Sequence, residues 1–191
     1  MYSKSKVQAN NYVLDAYKTK GLKASIILPS VFLGPDDPFN SPLNLAIKKF
    51  LKGHLPALIN GEYNITDVRD IAKGIVLASK YGKDGESYIL AGEQMKVKDL
   101  IGEVALIANK KPVKLTVPIW LVKMVSPFIV LSAKIQKKTP TFTAFSMDCL
   151  RQNSHYSFEK AAEKIGYEPR DIHDSLIATV NWMKDSGYLD R

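Results

Sequence analysis

Residues 2–35 read YSKSKVQANNYVLDAYKTKGLKASIILPSVFLGP, and the fold is decided here. Tyr2, Lys6, Ala9, Val13, Ala16 and Tyr17 recur at spacings of three and four, close to one face, which predicts a helix from Tyr2 to about Thr19. Lysines fill its last turn and Gly21 supplies the stop. An apolar run follows from Ala24 to Leu28, then a loop with Pro29, Gly34 and Pro35. An apolar run directly after a helix is the pattern of a parallel strand in an α/β sheet.

Working outward, Ser41-Pro42 has the form of an N-cap with proline at N1, opening a short helix from Leu43 to Lys52 that ends at Gly53. ALINGEYNI, residues 57–65, predicts a hairpin turning at Asn60-Gly61. Thr66 is expected to cap a helix from Asp67 to about Tyr81, with Asp67 and Asp70 in the first turn, where the dipole favours carboxylates. ESYILAG, residues 86–92, reads as a second sheet strand, and Lys98 to Asn109 as an amphipathic helix. Two further helices are expected, Phe158 to Ile165 and Ile172 to about Ser186, each ended by glycine. Only the strands around Ile26 and Ile89 read as members of a parallel sheet. Two such strands leave edges and faces uncovered, so the expectation is that the rest of their sheet lies outside these 191 residues.

Composition narrows the class. The chain is 46% hydrophobic and 24% charged, ordinary for a soluble globular protein with one sizeable core. A net charge of +8 raises nucleic acid as a partner, but the lysines are dispersed, without an arginine-rich run or interleaved aromatics, so they read as a solvated surface. Cys149 stands alone, which excludes an intrachain disulfide and a cysteine-based zinc cluster. His54, His155 and His173 have no metal-binding spacing, and Asp36-Asp37 reads as a solvated turn, so no metal is expected. The polar N-terminus lacks a signal-peptide apolar core, and a cytoplasmic location is expected. Residues 117–138, VPIWLVKMVSPFIVLSAKIQKK, are the most apolar stretch. Lys123, Ser126 and Pro127 interrupt it, which favours a pocket-wall helix pair over a membrane-associated helix.

Tyr2 and Lys6 lie one helical turn apart and share a face. A free phenol titrates near 10, too high for proton transfer at neutral pH, and a neighbouring ammonium lowers that value. The spacing alone is common in helices. Joined to ILPSVFLGP, to YNITDVRDIAKGIVLAS at 63–79, to GESYILAGE at 85–93, and to FEKAAEKIGYEPR with DSLIATVNW at 158–182, it resembles the extended short-chain dehydrogenase/reductases. The Asp67-Val68-Arg69-Asp70 version looks closest to the dihydroflavonol-reductase-like and 3β-hydroxysteroid-dehydrogenase-like branch. The resemblance runs through essentially the whole chain in family order.

That resemblance implies an α/β fold: a partial Rossmann-like sheet from residues 1–35 and 64–92, with a mostly helical substrate lobe from 36–63 and 93–191. It implies Tyr2 as general acid/base, and Lys6 as the group that bonds the nicotinamide ribose and lowers the tyrosine pKa. Pro29, Ser30 and Val31 would line the nicotinamide pocket of an NAD- or NADP-dependent oxidoreductase. Phe39, Trp120, Phe128 and Arg69 are candidates for the substrate side, although Arg69 also reads as a partner for a neighbouring carboxylate. A small carbonyl or alcohol substrate and a homo-oligomer are implied as partners. Leu28 stands where the family carries arginine, and the 191 residues hold no Gly-x-x-Gly-x-x-Gly turn to cradle a pyrophosphate. The chain therefore reads as the second half of such an enzyme, inactive and poor at holding cofactor by itself. Two other readings stay open: a nucleotide-sugar epimerase or dehydratase using the same Tyr-Lys pair, and a non-catalytic binding or assembly module.

Overall fold

The computed structural model describes residues 2–118, 120, 121, 124 and 155–190, with the backbone alone for Tyr2. Phe128, Cys149 and most of the apolar stretch 117–138 lie outside the described residues. Helix α1 (Tyr2–Lys20) runs unbroken and ends at Gly21, whose φ of +65° is the left-handed conformation that glycine adopts without strain. Strand β1 (Ile26–Pro29) follows and pairs in parallel with β5 (Ser87–Leu90), so the two expected sheet strands are direct neighbours.

The same extended segment continues past Ser30 as β2 (Val31–Leu33) and changes partner. It leaves β5 and pairs in parallel with β4 (Glu62–Asp67), whose other edge pairs antiparallel with β6 (Glu93–Lys96). The sheet therefore forks at Ser30, with the ends of β4 and β5 on either side. The parallel pairing is thus wider than the sequence suggested. A further short pair joins β3 (Leu58–Ile59) to β7 (Thr116–Val117), also in parallel.

That pair corrects the hairpin expected at Asn60-Gly61. Both edges of β4 are taken, by β2 and β6, so β3 has no edge there to bond and is held by β7 instead. Leu58 donates to the Leu115 carbonyl and Asn60 to that of Val117. The expected Thr66 cap also moves. Thr66 is the buried penultimate residue of β4, its hydroxyl 3.1 Å from the Tyr167 hydroxyl, and the cap of α3 (Val68–Tyr81) is Asp67. Thr66 lies opposite Phe32 in the ladder with its hydroxyl against Tyr167, so Asp67, directly before the helix, takes the cap.

Further helices are α2 (Pro42–Leu51), α4 (Val97–Ile107), α5 (Glu159–Ile165) and α6 (Ile172–Asp185). Proline stands at the first position of α2, where its missing N–H costs nothing, and Asp171 caps α6 by accepting from the His173 amide at 2.7 Å. Two apolar clusters result. One gathers Leu33, Ile47, Ile65, Leu100 and Leu176 from β2, α2, β4, α4 and α6. The other packs α5 and Tyr167 against Ile71 and Ala78 of α3 and Tyr88 and Leu90 of β5. Residues 159–167 thus sit on the β1–β5 side.

Helix α1 departs from its expected packing. The sequence expectation puts Ala9, Val13, Ala16 and Tyr17 on the sheet and turns Val7 and Leu14 elsewhere; Val13 and Ala16 are half-buried, but Ala9 and Tyr17 are exposed and Leu14 is half-buried with them. No residue of α1 whose side chain is described is fully buried. The ring of Tyr17 nevertheless lies against Gly85, where a Cβ would come within 2.4 Å of it.

Candidate active site

The C-terminal ends of β1, β4 and β5 meet at the fork. Ser30 is pinned there by its amide, which donates to the Leu90 carbonyl at 3.0 Å, as a continuation of the β1–β5 ladder. Pro29, Ser30 and Val31 are therefore consecutive at the switch point, with Ser30 and Val31 half-buried and Pro29 exposed. The opposite bank is locked by Asn64, whose Nδ2 donates to the Gly92 carbonyl (3.0 Å) while the Gly92 amide donates back to its Oδ1 (2.9 Å). Open parallel sheets bind ligands outside the carboxyl ends of their strands at such a reversal.

Below the fork lies a network of charges. The Asp67 carboxylate accepts from the Arg69 amide (2.8 Å), Nε (2.9 Å) and Nη2 (2.6 Å). One turn on, Asp70 accepts from the Arg170 amide (2.9 Å), Nε (3.0 Å) and Nη2 (2.8 Å). Burial pushes the Asp67 carboxyl up, but the bonds from Arg69 prevail and hold it below the usual carboxylate range. The pairing with Asp70 raises Arg170, and burial raises the Tyr167 phenol, against its hydrogen bond with Thr66. Tyr167 also donates to the Ala91 carbonyl at 3.1 Å.

The structure places the expected site residues as follows. Tyr2 and Lys6 are one turn apart on α1, and the Lys6 side chain is exposed. Pro29 to Val31 form one continuous bank. Arg69 is 40% exposed, yet it is chelated by Asp67, which engages it locally. Phe39 and Trp120 are exposed, at 89% and 66%, and no ring contact joins them among the described residues. Phe128 lies outside the described residues. The Asp70–Arg170 and Thr66–Tyr167 couplings were missed, because about a hundred residues separate the partners. The signal that was available is two carboxylates three residues apart at a helix start, which need cations to be buried.

A dinucleotide asks for two kinds of contact. At the nicotinamide end, the exposed ammonium of Lys6 and the strand-end backbone around Ser30 are chemically suited to ribose hydroxyls and a carboxamide. The pyrophosphate asks for free amides at a helix N-terminus. Among the described residues, α3 and α6 begin under the carboxylates of Asp67 and Asp171, which would repel a phosphate, whereas α2 and α4 begin without a side-chain cap. None of these helices is preceded by a glycine-rich turn of the kind that cradles a pyrophosphate. No group of three or more His, Cys, Asp or Glu side chains is placed to hold a metal ion among the described residues. Nor is any helix among them long and apolar enough to cross a membrane.

No family model matches the chain. Over 98% of its length it is 30% identical to a Synechocystis sp. protein named as a dihydroflavonol 4-reductase, and it covers 56% of that protein. It is 25% identical to the 3-beta-hydroxysteroid dehydrogenase of Mycolicibacterium neoaurum, over 93% of this chain and 51% of that one. The crystal structure of gox2253 matches with a TM-score of 0.79 and 31% identity, over 97% of this chain and 56% of that chain. Other solved structures, 18–19% identical, share the fold with TM-scores of 0.66 to 0.72 and are complexes with NAD or NADPH. The chain spans about half the length of the curated relatives it matches.

Proposed function

Because the chain belongs to the extended short-chain dehydrogenase/reductase family, in its dihydroflavonol-reductase-like and 3β-hydroxysteroid-dehydrogenase-like branch, we propose that it carries the proton-transfer helix and the substrate side of an NAD(P)-dependent oxidoreductase. The reaction is the reversible interconversion of a carbonyl and a secondary alcohol. The observation that carries this reading is the unbroken course of α1, which keeps Tyr2 and Lys6 on one face, one turn apart, in the helix that feeds β1 and the forked strand end.

In this reading Tyr2 gives a proton to the substrate oxygen during reduction and takes it back during oxidation. The Lys6 ammonium favours the phenolate and brings the phenol into range for transfer near neutrality. The same ammonium donates to the ribose hydroxyls, which sets the nicotinamide against the bank of Pro29, Ser30 and Val31. When bound, the dinucleotide would supply the hydride. The pyrophosphate cradle comes from sequence other than these 191 residues, consistent with their lack of a glycine-rich turn.

A chimera that joins the unmatched portion of the Synechocystis relative to residues 1–191 tests the proposal. It should oxidise NADPH or NADH in the presence of small aromatic or alicyclic ketones. A folded chimera that binds cofactor but turns over no carbonyl or alcohol would contradict the assignment.

A further inference from the structure

Ala91 and Gly92 carry the chain from β5, in one sheet, to β6, in the other, so the two sheets meet at this crossing. Strands β4 and β5 share no ladder there. Side chains hold the crossing to β4 instead. Asn64 pins Gly92 through its paired amide bonds, and the Tyr167 hydroxyl pins Ala91, donating to its carbonyl at 3.1 Å. That hydroxyl also lies 3.1 Å from the Thr66 hydroxyl of β4. A phenol has one proton, so with the Ala91 carbonyl taking it, Thr66 is the donor to Tyr167. Burial raises the phenol, which keeps it protonated and able to donate at neutral pH.

All three groups are closed to water, Thr66 and Tyr167 at 2% exposed and Ala91 at 0%. The ring is fixed as firmly as its hydroxyl. The Tyr167 amide donates to the Ala161 carbonyl and the Gly166 amide to that of Ala162, closing α5 at the left-handed Gly166. The ring meets Phe158 edge-on, with 6.0 Å between centroids, and passes Gly74 of α3, where a Cβ would come within 3.1 Å of it. Ala91 directly follows Leu90, whose carbonyl accepts from the Ser30 amide. A residue near the far end of the chain thus reaches the fork in three links: Tyr167 to Ala91, Ala91 to Leu90, Leu90 to Ser30.

We infer that Tyr167 is a positioning residue for the reaction: its hydroxyl ties the end of β4 to the crossing after β5, and so fixes the bank of Pro29, Ser30 and Val31 against which the nicotinamide is set. The inference rests on the oxidoreductase reading above and adds a residue to it. Buried as it is, the hydroxyl acts through Ala91 and Ser30 rather than on cofactor or substrate.

Tyr167→Phe removes the hydroxyl and keeps the ring. Hydrogen exchange is followed by NMR on the isotopically labelled 191-residue chain, and turnover and NADPH affinity on the chimera described above. The Ser30 and Gly92 amides should exchange about tenfold faster relative to the amide of Val180, a core residue of α6 that reports unfolding of the whole chain. In the chimera kcat should fall about tenfold with the NADPH dissociation constant unchanged, because a small misplacement of the reacting groups costs rate before affinity. Adding Thr66→Val removes the hydroxyl left unpaired. It should restore much of the urea midpoint but neither kcat nor the protection of Ser30, since the Ala91 carbonyl is still unheld. Ser30, Gly92 and Val180 accelerating together, or kcat that is unchanged or recovers with the midpoint in the double variant, would overturn the inference and leave Tyr167 a role in stability alone. A chimera inactive with Tyr167 in place would contradict the oxidoreductase reading instead, and the exchange measurement would still decide whether the hydroxyl fixes the bank.

Discussion

Asp70 is 3% exposed and depends on Arg170 for its charge to be tolerated. Arg170→Ala leaves that carboxylate buried without its guanidinium, and the cost should be about 2–3 kcal/mol, read as a lower urea midpoint with unchanged slope. A loss below about 0.5 kcal/mol would mean that water serves Asp70 equally well. Asp67 makes a pH prediction. Its folded-state pKa is depressed, so its stabilisation is fully present above the unfolded value near pH 4 and is lost as pH falls through the folded value. Arg69→Met should shrink that contribution. The residue-69 amide and Ser175 still bond Asp67, but without the guanidinium its carboxyl should rise, so less stability is lost on acidification. Urea midpoints from pH 7 to about pH 3 for the two proteins should diverge in slope.

At the scale of elements, the fork depends on how closely β5's exit approaches β4. A Cβ on Gly92 would sit 2.2 Å from the Ile65 carbonyl oxygen, and Gly92→Ala would also disturb the reciprocal bonds with Asn64. Backbone cannot yield as a flexible side chain does. Gly92→Ala should therefore cost more than about 2 kcal/mol in thermal or urea unfolding, and a neutral outcome would contradict the close approach. The helices and the β1–β5 pair were legible in the sequence, because amphipathic spacing, glycine stops and apolar runs are local signals. Pairing is not local. Asn60-Gly61 carries a hairpin signal in its own right, but β4's edges are filled by strands from residues 31–33 and 93–96, and no neighbouring residue reports that. The candidate site divides the same way. The Tyr2–Lys6 spacing and the strand after α1 could be read directly, whereas the segment expected as a loop after β1 carries the second strand, β2. The Asp70–Arg170 lock and the Thr66–Tyr167 contact exist only once distant segments are packed.

For the whole molecule, two expectations follow from what the chain holds and what it exposes. Without a pyrophosphate cradle, the 191 residues should bind NADPH negligibly, because the contacts at the ribose end cannot offset an association cost of several kcal/mol. A dissociation constant in the low micromolar range by titration calorimetry would contradict this. Val7 and Tyr12 of α1 and Ile75, Val76 and Tyr81 of α3 are largely exposed, so the chain should self-associate as its concentration rises. Light scattering that shows a monodisperse monomer would oppose that expectation. The central claim is that Tyr2 moves the proton, and turnover of the chimera with Tyr2→Phe tests it most directly. The account predicts that kcat falls by roughly 10²–10⁴-fold while NADPH affinity and the urea midpoint stay unchanged. Near-normal turnover would show that another group carries the proton.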